Sequence, residues 1–211
     1  EKFKVNLFTG ASMGPAADGS MAEAGIINLR FPYNANPILR KQINEGEAFY
    51  IDQHLSHNAE YVRQGVLPRI DYAIIEAAAI TEDGTIIPTG SVGNSPIYVD
   101  TAKHVIIEVN VSAPAAYEGM HDIYVPGPAG ENARCDIPLC EISQRIGTKG
   151  IKVDPAKVRG IVISSQPDIP SPLFEPNEET QQIADNLLHF LHEEVRKGRL
   201  PNNLAPLQSG V

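Results

Sequence analysis

Most of the residues that could do chemistry in this chain sit in glycine-bearing turns. In Thr9-Gly10-Ala11-Ser12-Met13-Gly14 small residues follow an apolar stretch and precede a helical one. Open α/β sheets bind ligands at such a point, beyond the carboxyl end of a strand. The spacing is neither GxGxxG nor a Walker loop, since no Lys follows the second glycine. A tight strand–helix turn and a ligand contact are both open readings. In Thr89-Gly90-Ser91-Val92-Gly93-Asn94-Ser95-Pro96, backbone N–H groups could meet an anionic or carbonyl oxygen, as at an oxyanion hole. The competing reading is a turn in which Gly93 and Asn94 supply unusual backbone angles. Gly127-Pro128-Ala129-Gly130 reads as a surface loop. The final stretch, Leu204-Ala205-Pro206-Leu207-Gln208-Ser209-Gly210-Val211, reads as a strand entering a glycine loop.

The titratable side chains add candidates. His54 and His57 stand three apart, a spacing at which a helix can present two metal ligands. Ser56 reads as that helix's N-cap, which places His54 outside it and breaks the shared face, so no metal site is expected. His121-Asp122 are adjacent and so do not face each other; a solvated loop is the expectation. Glu76 lies inside an apolar run, where a carboxylate must be paired, protonated or placed at the strand's open end. No GxSxG nucleophile elbow occurs. Cys135 and Cys140 form C-x4-C with no second Cys or His pair at zinc spacing, and read as two free thiols.

Positioning these groups falls to alternating strands and helices. Residues 5–9 predict a strand, residues 21–24 a helix, and Pro37 to Ile43 a helix stopped by Gly46. Residues 49–51 predict a short strand, followed by a helix over Glu60, Tyr61 and Val62. Residues 70–80 form the strongest apolar run, bounded by Pro68 and the turn Thr81-Glu82-Asp83-Gly84. It predicts a strand buried on both faces, returning through Thr85-Ile86-Ile87 as a hairpin. Residues 104–109 and 158–164 predict two more strands, with a Pro- and Gly-punctuated excursion between them. Four prolines between 166 and 176 predict an extended connector. Asn177 caps a long helix whose Ile183, Leu187, Leu191 and Val195 share one face. The fold class is α/β, a mainly parallel sheet flanked by helices.

Composition sets the outer limits. The 211 residues are 42% hydrophobic and 20% charged, as in an ordinary globular protein. The net charge is −9 and the Lys and Arg residues are scattered, which disfavours nucleic acid. Net charge says little about small ligands. No apolar run approaches the roughly 18 residues of a membrane span. The first residues lack the apolar stretch of a signal peptide and enter a strand pattern at once. The expectation is a single domain over residues 1–211, incomplete at both ends.

Taken together, residues 5–12, 50–56, 74–84, 91–96 and 207–211 resemble the acetyl-CoA hydrolase/transferase family, which includes succinyl-CoA:acetate CoA-transferases. The resemblance runs over essentially the whole chain. It implies an N-terminal domain of the CoA-transferase fold, with a catalytic C-terminal domain absent from this chain. It also implies ping-pong chemistry, in which a glutamate carboxylate takes the acyl group and then CoA as a glutamyl thioester. The substrates it implies are an acyl-CoA and a small carboxylate, with coenzyme A as substrate rather than resident cofactor. Acetyl-CoA hydrolysis is the alternative activity. No catalytic residue is carried over to this chain, and Glu76 is not the nucleophile by position. Gly210 and Val211 carry over to CoA binding, and Ser91, Gly93 and Asn94 to the substrate pocket. A cytoplasmic homo-oligomer, or a mitochondrial one in a eukaryote, completes the expectation.

Overall fold

Short strands and helices alternate from residue 5 to residue 110 in the computed structural model, which describes residues 3–11, 14–127, 136–141, 143–167, 174–204 and 207. Two units are distinguished, residues 1–168 and 169–211.

The first unit holds two parallel three-stranded sheets rather than one continuous sheet. The first sheet has the order β1 (Val5–Phe8), β2 (Ile27–Phe31), β3 (Phe49–Tyr50). Between β1 and β2 the chain makes a π turn over Pro15–Gly19 and the short helix α1 (Ser20–Glu23). Asn36 caps α2 (Pro37–Asn44), its side chain accepting from the Ile38 and Leu39 amides at 3.0 and 3.1 Å. This satisfies two of the N–H groups that a helix start leaves open. A small core of Ala22, Ile27, Leu39 and Ala48 closes the layer.

The second sheet pairs β4 (Tyr72–Ala77) with β7 (His104–Asn110), and β7 with β8 (Val158–Ser164). The hairpin β5 (Ala79–Ile80) and β6 (Ile86–Ile87) is antiparallel, turning through the predicted residues 81–84. Helix α3 (Leu55–Arg63) precedes β4, and α4 (Ser95–Thr101) precedes β7. The main core gathers Ile75, Ala77, Ile86, Ile97, Val99, Val105 and Ile107 under these helices. Each fully buried Ile contributes about 1.5–3 kcal/mol through removal from water. Lys157 holds the carboxyl end of α4, its Nζ donating to the Val99 and Asp100 carbonyls at 3.3 and 2.5 Å.

Two expectations are corrected. β4 alternates between exposed and buried residues: Ala73, Ile75 and Ala77 face the core, while Tyr72 and Ile74 are 54% and 68% exposed. Its apolar run therefore reflects a β-branched edge-to-core pattern with one open face. The start of α3 also differs. His54 occupies the N-cap position without a side-chain cap bond, and Ser56 lies inside the helix. The His57 amide bonds to the His54 carbonyl at 3.0 Å, which closes the first turn two residues earlier than a Ser56 cap would.

In the second unit, α5 (Glu178–Arg196) begins at a capping box: Asn177 accepts from the Thr180 amide at 2.8 Å and its own amide donates to Thr180 Oγ1 at 2.9 Å. No residue of α5 is buried, so its apolar stripe of Ile183, Leu187 and Phe190 is exposed.

Candidate functional site

A cavity of about 390 Å³ opens in the first unit between three walls. Ser56, Ala59, Glu60 and Arg63 of α3 form one wall; residues 92–94 with Pro96 and Ile97 form the second; residues 121–126 form the third. The volume lies in the range of small-molecule sites.

Each wall has a local cause. Gly93 takes φ +50° before α4 begins, a conformation that favours glycine and turns the loop into the helix. Asn94, with φ −89°, needs no such freedom, so only half of the sequence reading of that turn holds. The third wall is tied to α3 by Arg63, whose guanidinium donates to the Pro126 carbonyl at 2.5 Å and pairs with Glu60 at 2.5 Å. It is tied to the neighbouring excursion by Asp122, which accepts from the Ile146 and Gly147 amides at 3.2 and 2.7 Å. His121 turns the other way, its Nε2 2.6 Å from the Thr89 carbonyl oxygen. His121 and Asp122 are thus not an acid–base pair, yet neither is merely solvated: each fastens the loop to a different strand connection.

The two helices that contribute to the cavity walls also share a buried polar knot. The Thr9 carbonyl, at the end of β1, accepts from Asn58 Nδ2 at 2.8 Å and from the Tyr98 hydroxyl at 2.9 Å. Arg30 and Asp18, both with 0% side-chain exposure, form an ion pair at 3.1 Å, and Arg30 also donates to Thr9 Oγ1. Burial pushes the Arg30 guanidinium below its usual value, with the Asp18 carboxylate pulling it back up. Burial likewise raises the Tyr98 phenol, opposed by the amides of Asn58 and Asn94.

A family model described as the acetyl-CoA hydrolase/transferase N-terminal domain matches residues 1–163. The chain belongs to that family. It is 46% identical to a succinyl-CoA:acetate CoA-transferase of Clostridium kluyveri, covering 100% of this chain and 39% of that protein. It is 38% identical to a propanoyl-CoA:succinate CoA transferase of Escherichia coli, over 99% of this chain and 42% of that protein. An acetyl-CoA hydrolase of Schizosaccharomyces pombe is 43% identical, over 100% of this chain and 41% of that protein. The chain thus spans about two fifths of the length of these curated relatives. Among solved structures, RipA from Yersinia pestis superposes with a TM-score of 0.52 at 15% identity, covering 85% of this chain and 36% of that one. A RipA variant gives 0.56 at 15% identity, over 88% and 36%. These agree with the α/β fold.

Within this acetyl-CoA hydrolase/transferase domain, Gly93 and Asn94 line the cavity. Ser91 is exposed on the loop just before it and is not part of its lining. Gly210 and Val211 lie outside the described residues, as do Ser12, Cys135 and residues 128–130. Cys140 is a free, exposed thiol. His54 and His57 do come together, ring centroids 5.5 Å apart in an edge-on contact, but among the described residues no group of three metal-ligating side chains forms. Among the described residues no helix is long and apolar enough to cross a membrane. Sequence reasoning missed Ser56, Arg63 and the 123–126 segment. Only the excursion's position between two strands hinted that it would fold back over the sheet's end.

Proposed function

We propose that this chain is the N-terminal part of an acyl-CoA:carboxylate CoA-transferase that moves CoA between acetyl-CoA or succinyl-CoA and acetate. The observation that carries this reading is the 46% identity to a succinyl-CoA:acetate CoA-transferase across the whole chain. The cavity walled by Gly93 and Asn94 supports it by offering a bounded, part-polar space for substrate.

In this reading the nucleophile is a glutamate carboxylate from outside the chain. It attacks the acyl carbonyl, the C–S bond breaks, and CoA leaves as a thiolate. The thiolate then attacks the mixed anhydride at the glutamyl carbon, releasing the carboxylate product and leaving a glutamyl-CoA thioester. An acceptor carboxylate runs the sequence backwards. Coenzyme A enters as substrate and no resident cofactor takes part. The present chain supplies binding and orientation, which act on rate through the transition state. The CoA contact at Gly210 and Val211, a homo-oligomeric assembly and a cytoplasmic location belong to the same proposal.

Acetyl-CoA hydrolysis is the second reading, favoured by the 43% identity to the Schizosaccharomyces pombe acetyl-CoA hydrolase. The two differ in whether water reaches the activated acyl group. Turnover decides: the chain, extended to the length of its relatives, is given acetyl-CoA with and without succinate. Succinyl-CoA formation supports transfer. CoA release at the same rate without succinate supports hydrolysis, and no loss of acetyl-CoA in either assay overturns both.

A further inference from the structure

We propose that His121 selects for the acyl-CoA substrate, and that Glu76 and Thr89 position it; this rests on the functional reading above. The argument begins with the proton on the imidazole. His121 Nε2 lies 2.6 Å from the Thr89 carbonyl oxygen. A carbonyl only accepts, so Nε2 carries the proton, and in the neutral ring Nδ1 is left as a bare acceptor.

Thr89 is held in turn. Its hydroxyl donates to Glu76 Oε2 at 3.0 Å, and Glu76 Oε1 accepts from Asn110 Nδ2 at 2.8 Å. Asn110 is 4% exposed and is itself anchored, donating to the Gln166 carbonyl at 2.7 Å and accepting from the Ser112 amide at 3.0 Å. On the far side, Arg145 donates to the Gly119 and His121 carbonyls at 2.8 and 3.1 Å. The ring is therefore tied through Thr89 to the carboxyl ends of β4 and β7, while Arg145 holds the backbone that carries it. This also gives Glu76 a use: it sits near the open end of its strand, paired with two donors, and holds Thr89.

His121 lines the same cavity as Gly93 and Asn94. A ligand that satisfies Nδ1 must bring a hydrogen-bond donor. A small carboxylate brings acceptors only. An acyl-CoA brings the amide N–H groups of its pantetheine arm, so the match is to that substrate and not to the carboxylate.

The test uses the chain extended to the length of its relatives and compares wild type with His121→Gln, His121→Ala and Thr89→Val, all checked for unchanged melting temperature. Glutamine places an amide N–H near where Nε2 stood, keeping the bond to Thr89, and leaves its one acceptor, the carboxamide oxygen, away from the Nδ1 position. With acetyl-CoA and succinate, both His121 variants are expected to raise KM for acetyl-CoA about two- to tenfold, the worth of one neutral hydrogen bond. KM for succinate stays at the wild-type value. Thr89→Val keeps the carbonyl but frees it from Glu76, and is expected to shift the same KM in the same direction by less. If His121→Gln matches wild type while His121→Ala does not, His121 is only a loop anchor and the inference is overturned. An equal rise in KM for succinate overturns it as well. Absence of turnover in the wild type overturns the underlying functional reading instead.

Discussion

Asn58 on α3 donates a hydrogen bond to the hydroxyl of Tyr98 on α4 at 2.7 Å, and both side chains donate to the Thr9 carbonyl. α3 forms one wall of the cavity and the start of α4 part of a second, and one backbone oxygen at the end of β1 ties the two helices together. Asn58 is fully buried and Tyr98 nearly so. Removing the phenol oxygen takes one of two donors from Thr9 and the acceptor from Asn58. Tyr98→Phe is expected to destabilise the fold by about 1 kcal/mol and Asn58→Ala by about 2 kcal/mol, since the latter also leaves a void. Urea unfolding measures both; equal stability of either variant and wild type would show that the knot is slack.

Arg30 and Asp18 make a second claim on the same corner. With both side chains at 0% exposure, removing one leaves a polar group that water cannot reach. Arg30→Met is expected to cost about 3–5 kcal/mol. Adding Asp18→Leu to it is expected to recover much of that loss, because a well-packed apolar pair can replace a buried ion pair. Chemical denaturation of the single and double variants tests this; a double variant no more stable than Arg30→Met would contradict it.

His104, at the start of β7, gives a pH signature. Its desolvation, then Arg159 and Lys103 nearby, lower its pKa below the ordinary value, with Asp71 opposing. The unfolded chain therefore binds a proton that the folded chain resists. Stability is full above the unfolded value of about 6.5 and falls as the pH drops through it towards the lower folded value. His104→Gln should flatten the melting-temperature profile between about pH 7 and pH 5. A profile identical to wild type in that window would remove His104 as the cause.

Gly150 reports on backbone packing. A Cβ at that position would stand 2.5 Å from the Ile86 carbonyl oxygen, where the Ile86–Ile151 bridge forms. Gly150→Ala is expected to destabilise by about 1–3 kcal/mol through forced separation of the two segments. Calorimetry on the variant checks it, and a neutral result would mean that the bridge opens freely.

Much of the fold was legible because period and punctuation agreed. Residues 158–164 read as β8 with its observed bounds, and Asn177 announced α5 through its capping chemistry. β2 was illegible because Arg30 interrupts its apolar pattern, and the partners that make a buried guanidinium tolerable, Asp18 and Thr9, lie twelve and twenty-one residues away. Ser56 misled for a similar reason. Its type suits a cap, but His54 bends the chain two residues earlier. The candidate site was half legible. Gly93 declared itself by its turn, whereas Arg63 and residues 123–126 meet it only through long-range hydrogen bonds that no local pattern records.

The most direct test of the central claim is hydrogen exchange on the chain extended to the length of its relatives, with and without acetyl-CoA. Occupation of the cavity predicts slowed exchange in residues 92–97 and 121–126, with residues 72–77 of β4, which do not line it, unchanged. Binding of acetyl-CoA without protection in either of those two segments would contradict it.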